Sequence, residues 1–174
     1  NLYPVPQQEA LAERLVEPMI HLIRNAVAHG IESPEKRLSI GKPAIGKLKI
    51  RAHQEGEDVL LEVLDDGQGI DAQAAGQTAL RLNLVTAAAL KQMTEEQKRQ
   101  LIFQPGFTTR SVADQVSGRG VGLDAVTESI SALSGELNLE STPGEFTRFT
   151  LRLPLLAAIS NALLFKVGGH VYAL

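Results

Sequence analysis

The chain has 174 residues, 44% apolar and 21% charged, enough for one globular domain with a core of its own. A net charge of −3 without a basic run interleaved with aromatics excludes a nucleic-acid surface, and zero cysteines exclude disulfides, thiolate metal sites and a thiol nucleophile. No apolar stretch approaches the roughly 20 residues a bilayer span requires, and Asn1 to Gln8 lack the regions of a signal peptide, so the expectation is a soluble intracellular module.

Leu11, Leu15, Met19, Leu22 and Ala26 recur at helical spacing and predict a helix from about Glu9 to His29, with Gly30 as its stop. Pro18 either kinks it or opens a fresh helix after Glu17. Residues 31–46 hold Ser-Pro, Gly and Lys-Pro and read as loop with one short helix. From Lys47 to His53, Leu48, Ile50 and Ala52 alternate to face one way, and Val59 to Leu64 reads as a central strand. The turn Glu55-Gly56-Glu57-Asp58 makes the two an antiparallel pair.

Residues 72–91 are rich in Ala and Leu and predict a helix; Thr94-Glu95-Glu96-Gln97 is a capping box opening another that ends near Phe103. Thr108 to Arg119 is polar and aperiodic, as in a mobile loop. Leu123, Val126, Ile130 and Leu133 mark an amphipathic helix closed by Gly135, and 136–141 and 149–153 alternate as strands around Thr142-Pro143-Gly144-Glu145. Without a regular βαβ rhythm, an α+β two-layer sandwich fits better than a doubly wound sheet. Residues 162–174 carry a hairpin signal around Gly168-Gly169; two strands do not make a stable domain, so the expectation is a chain that stops just inside a second one.

Three segments carry chemistry. His21, Asn25 and His29, spaced by four, share a helix face distinct from the apolar one. An Asn oxygen is a hard ligand suited to Mg²⁺, and a His accepts a proton near neutrality or donates to phosphate. The plainer alternative is a solvated helix face. Asp65 ends a buried strand before Gly67 and Gly69: its carboxylate could accept from an exocyclic amine such as that of adenine, and the glycines let a flat base approach. The alternative is an ordinary Asp-Gly turn. Gly118, Gly120 and Gly122 precede a helix, as in a phosphate-binding turn, or merely link to it. No strand precedes them as the dinucleotide fingerprint requires, and no P-loop is present. His53 and His170 have no partners in sequence and read as structural or exposed. No zinc spacing or Gly-x-Ser-x-Gly occurs.

In order, HLIRNAVAHGIE (21–32), GKPAIG (41–46), DDGQGID (65–71), FQPGFTT (103–109), SGRGVGLD (117–124) and FTLRLP (149–154) resemble the ATP-binding catalytic domain of histidine kinases, in the gyrase/Hsp90/kinase/MutL superfamily, above all that of the CheA-type chemotaxis kinase. The resemblance covers about residues 15 to 154, and the tail ALLFKVGGHVYAL resembles the start of a CheW-like regulatory domain. The Ala-rich character is similar to that of the large CheA relatives of pilus-type chemosensory systems. It implies a Bergerat-type sandwich: a mixed, mostly antiparallel sheet, helices on one face and an ATP lid.

By resemblance, residues 1–154 form the catalytic domain, and 155–174 a linker and the first hairpin of the next. Asn25 would coordinate Mg²⁺, with His21 as candidate base and second possible ligand, and Arg24 and His29 beside the phosphates. Asp65 would hold the adenine amine, with Gly67, Gly69, Ile70 and Thr147 around the base. Phe107, Thr108, Arg110, Gly118, Arg119, Gly120, Val121, Gly122 and Leu123 would line the lid side. The ATP γ-phosphoryl would pass to a histidine on a separate phosphotransfer domain. A CheW-like adaptor and chemoreceptors would engage neighbouring domains, with a response regulator downstream. The resemblance further implies a cytoplasmic, dimeric kinase, of which this chain alone would be monomeric.

Three positions depart from the family pattern: Ala28 replaces an acid, Phe146 replaces a glycine, and no Lys or Arg occurs between Arg51 and Arg81. A degenerate nucleotide-binding scaffold that docks receptors and adaptors without turnover is the competing expectation. An Hsp90- or MutL-like ATPase is disfavoured, because no acid occurs in 21–29 to act as base.

Overall fold

The computed structural model describes residues 7–107, 122–154, 164–167 and 170–173. Helix α1, Gln7–Asn25, runs through Pro18 without ending, so the fresh helix expected as one option after Glu17 does not form. Pro18 is buried, as are Leu15 and Leu22, and tertiary packing outweighs the roughly 3 kcal/mol that an interior proline costs a helix. The final turn, Ala26–Gly30, widens into a π-turn closed by the Ile31 N–H on the Ala26 carbonyl at 2.8 Å. Such wide turns are frequent at functional sites.

Helix α2, Pro34–Ser39, is the short helix expected between 31 and 46; Ser33 caps it and Pro34 occupies the first turn. Strands β1, Leu48–Glu55, and β2, Asp58–Asp65, pair antiparallel in full register from Leu48 opposite Asp65 to Glu55 opposite Asp58. The helix expected over 72–91 is two: α3, Ala72–Arg81, and α4, Ala87–Gln92. Asn83, at φ +58°, turns the chain left-handed between them, and Thr86 caps the second. Thr94 and Gln97 form the expected capping box of α5, Glu95–Gln100, which tightens into a 3₁₀ turn over Leu101–Phe103.

Helix α6, Leu123–Ser131, leads to β3, Glu136–Thr142, and β4, Phe146–Pro154. The four strands are ordered β1-β2-β4-β3, and among the described residues every pairing is antiparallel, as expected of most of the sheet. Val63, Leu139, Phe149, Leu151 and Leu153 point to one face, where Leu15 and Leu22 of α1, Ala75 of α3, Ile102, and Val126, Ile130 and Leu133 pack on them. Arg148, Arg152 and Glu140 alternate to the other face, joined in cross-strand ion pairs. This is the two-layer α+β sandwich expected. Strands β5, Leu164–Val167, and β6, His170–Ala173, form a separate antiparallel hairpin where the tail predicts one.

Candidate functional site

One end of the sheet and the end of α1 enclose a cavity of about 720 Å³. Its helix wall carries His21, Arg24, Asn25 and His29, so the four-residue spacing does place the polar groups on a shared surface. Its sheet wall carries Asp65 and Thr147. These two are direct partners in the β2–β4 register, and Ser141 of β3 pairs with Thr147 from the other side. A row of polar side chains thus crosses the end of the sheet's otherwise apolar face. Asp65 is 2% exposed and Thr147 4% exposed.

The turn after β2 is built around that carboxylate. The Gly67 N–H donates to Asp65 Oδ1 at 3.0 Å, and the Gln68 N–H donates to the Gly30 carbonyl at 2.8 Å, tying the turn to the end of α1. A Cβ on Gly67 would overlap the Gly30 carbonyl oxygen. Gly67 therefore packs the turn and is not among the residues lining the cavity, whereas Gly69 is. Gly69 has φ +68°, and a side chain there would meet the Thr142 carbonyl, so only glycine serves. Ser141, next to Thr147 but not on the cavity wall, braces this end of the sheet: its hydroxyl accepts from the Ile70 N–H at 2.8 Å and donates to the Phe146 carbonyl at 2.9 Å.

Burial pushes the Asp65 carboxyl above its ordinary pKa, and repulsion from Asp66 and Glu32 adds to this, against the Gly67 N–H and Lys42. A buried carboxylate so placed gains from any ligand N–H aimed at it. Ile70, Phe107, Leu123, Ile102 and Phe149 give the cavity apolar surface suited to a flat ring. Gly122 also lines it; Thr108, Arg110, Gly118, Arg119, Gly120 and Val121 lie outside the described residues, as does the loop expected from Thr108 to Arg119.

The sequence reading overlooked two parts of the site. Glu17, Ile20, Asp71, Ala74 and Thr78 also line the cavity; Glu17 extends the four-residue spacing of His21, Asn25 and His29, and Asp71 closes the DDGQGID segment, whereas nothing local marks Ala74 and Thr78. Behind the Asp65 turn, Glu32, Arg37 and Lys42, from the segment read as loop with one short helix, form a charge network with Asp66 of the turn itself. The departures fall elsewhere: Ala28 is exposed and not on the cavity wall, and the Phe146 ring lies 5.7 Å from the Arg148 guanidinium. His53 is exposed on β1.

The family of histidine kinase-, DNA gyrase B- and HSP90-like ATPases matches residues 12–157. The chain belongs to this family. It is 43% identical over 166 residues to the chemotaxis protein CheA of Treponema pallidum, covering 95% of this chain and 20% of that protein. It is 39% identical over 158 residues to the gliding motility regulatory protein of Myxococcus xanthus, covering 91% and 20%. Among solved structures, the catalytic domain of the histidine kinase ThkA has a TM-score of 0.48 at 21% identity, over 82% of this chain and 66% of that one. The chain spans 20% to 25% of the length of its CheA relatives. No helix among the described residues is long and apolar enough to cross a membrane.

Proposed function

We propose that the cavity between α1 and the sheet end holds ATP, and that the γ-phosphoryl passes from there to a histidine of a separate phosphotransfer domain in a chemosensory phosphorelay. The observation that carries this reading is the register that sets buried Asp65 beside buried Thr147 on the floor of a cavity whose helix wall bears His21, Asn25 and His29. Asp65 accepts from the adenine amine, Gly69 and Thr147 border the base, and Ile70 and Phe107 cover its faces. Arg24, His21 and His29 face the phosphates.

Among the described residues no three His, Cys, Asp or Glu converge on a metal site, and Asn25 offers one amide oxygen on the cavity wall. That donor set fits Mg²⁺ carried by phosphate oxygens and water, with Asn25 as the side chain that would hold it. Bound there, Mg²⁺ supplies charge neutralisation. The described cavity residues include three acids, Glu17, Asp65 and Asp71, beside Arg24 and the two histidines, so a triphosphate gains little from fixed cations. The resemblance assigns Thr108, Arg110 and 118–121 to the ATP lid. In the transfer the acceptor imidazole nitrogen bonds to the γ-phosphorus, the bond to the β–γ bridging oxygen breaks, ADP leaves, and His21 takes the acceptor's proton.

In this reading the domain acts inside a cytoplasmic, dimeric kinase. Its neighbours engage a CheW-like adaptor and chemoreceptors, a response regulator lies downstream, and the β5–β6 hairpin opens a CheW-like domain. The departures at Ala28 and Phe146 lie off the cavity wall, which supports a competent kinase over a degenerate scaffold. The test adds radiolabelled ATP and a separately purified phosphotransfer domain. Label should reach the acceptor histidine with the wild-type chain and fall at least about tenfold with Asn25→Ala, as for loss of one charge-stabilising contact. Equal transfer by both would remove Asn25 from the chemistry, and no transfer by the wild-type chain would favour the scaffold.

A further inference from the structure

Arg37 is fully buried, an unusual place for a guanidinium. It donates from Nε to the Pro43 carbonyl at 2.7 Å, from Nη1 to Glu32 Oε2 at 3.0 Å, and from Nη2 to Asp66 Oδ2 at 2.9 Å. Beside it Lys42 Nζ donates to Glu32 Oε1 at 2.9 Å, the Asp66 carbonyl at 2.9 Å and the Gly67 carbonyl at 2.6 Å. All three ammonium donors are engaged. The Lys47 N–H donates to the other Asp66 carboxylate oxygen at 2.8 Å. The two cations meet two carboxylates, and none of the four lines the cavity.

We propose that Lys42 is a positioning residue for the nucleotide's base, holding Gly67 so that its N–H fixes the Asp65 carboxylate toward the cavity. The chain of contacts is short. Lys42 grips the Gly67 carbonyl, the same residue's N–H grips Asp65 Oδ1, and the opposite side of the turn is tied by Gln68 to Gly30. Arg37 and Glu32 keep Lys42 in place, because Glu32 accepts from both cations through different oxygens. Lys42 also faces Asp65 as the nearby positive charge, against Asp66 and Glu32. Its removal therefore loosens the turn and makes Asp65 harder to ionise. The inference rests on the adenine-pocket reading above.

The experiment is calorimetric titration of ADP into wild-type chain, Lys42→Met, Lys42→Arg and Asp65→Asn between pH 5 and 8, with circular dichroism of each variant. Lys42→Met should bind ADP about tenfold more weakly near neutrality, the order of one charge-assisted hydrogen bond. The acid limb of its affinity profile should also move to higher pH, since Asp65 loses a positive neighbour; Lys42→Arg, which keeps the charge, should leave that limb in place. A uniform loss with an unmoved limb marks a merely structural lysine and overturns the inference, as does unchanged affinity in a folded Lys42→Met. If Lys42→Met does not fold, Lys42→Gln carries the comparison, and a chain that folds with neither overturns the positioning role. Asp65→Asn separates the two levels. If it loses ADP while Lys42→Met does not, only the positioning claim fails; if it binds as wild type, the pocket reading fails and takes this inference with it.

Discussion

Asp65 concentrates the site's chemistry in one side chain, and its protonation has opposite consequences for stability and binding. Its carboxyl lies above the ordinary range in the folded chain, chiefly through burial. A raised carboxyl pKa means that the folded state holds a proton which the unfolded state has released. Its contribution therefore favours the fold at low pH and is lost as pH rises from the ordinary aspartate value through the raised one. Asp65→Asn should unfold at neutral pH at a temperature equal to or above that of the wild type, while nucleotide binding disappears. Thermal melts at pH 4 and 7 with parallel ADP titration check this; a variant that melts lower and still binds would contradict it. Asp66 and Glu32 carry the opposite sign. Burial opposes their charge, yet the Lys47 N–H and Arg37 at Asp66, and Lys42 with Arg37 at Glu32, hold both carboxyls below the ordinary range. What they contribute is present at neutral pH and lost as pH falls through their lowered values.

At the scale of elements, the site depends on segments whose order in sequence does not announce their meeting. The helix face with His21, Asn25 and His29 was legible from spacing, and the end of β2 from its apolar run. The capping box at Thr94 was legible because capping is local; Thr94→Ala should cost about 1 kcal/mol, read as the shift of a denaturant midpoint. The break between α3 and α4 was not, since Asn83 in a left-handed conformation is chosen by packing and Ala-rich sequence suits either outcome. Nor was the widened turn Ala26–Gly30, which departs from the α repeat only where the chain meets the Asp65 turn. The charge network was the largest omission. Glu32, Arg37 and Lys42 look like loop charges until the fold buries Arg37 and Glu32. Arg37→Met leaves Glu32 and Asp66 without that partner, and should cost about 3 to 5 kcal/mol of folding free energy in urea unfolding. A loss under about 1 kcal/mol would show that the network is idle.

Over the whole molecule, patterning determined the architecture well: alternating strands, amphipathic helices and one apolar face led to a two-layer sandwich, and the β2–β4 register then placed Asp65 beside Thr147 across 82 positions of sequence. That juxtaposition follows from which strands pair, which no local pattern specifies. Among the described residues the cavity it creates has one Lys or Arg, Arg24, so the proposed affinity for a triphosphate depends on what accompanies the phosphates. Calorimetric titration of ATP into the chain, with 5 mM Mg²⁺ and with excess chelator, tests this account most directly. ATP should bind with a stoichiometry near one, and should weaken by at least about tenfold when Mg²⁺ is withdrawn, as expected of a site that relies on a metal to offset phosphate charge. A folded chain that binds no ATP in either condition, or that binds equally in both, would contradict it.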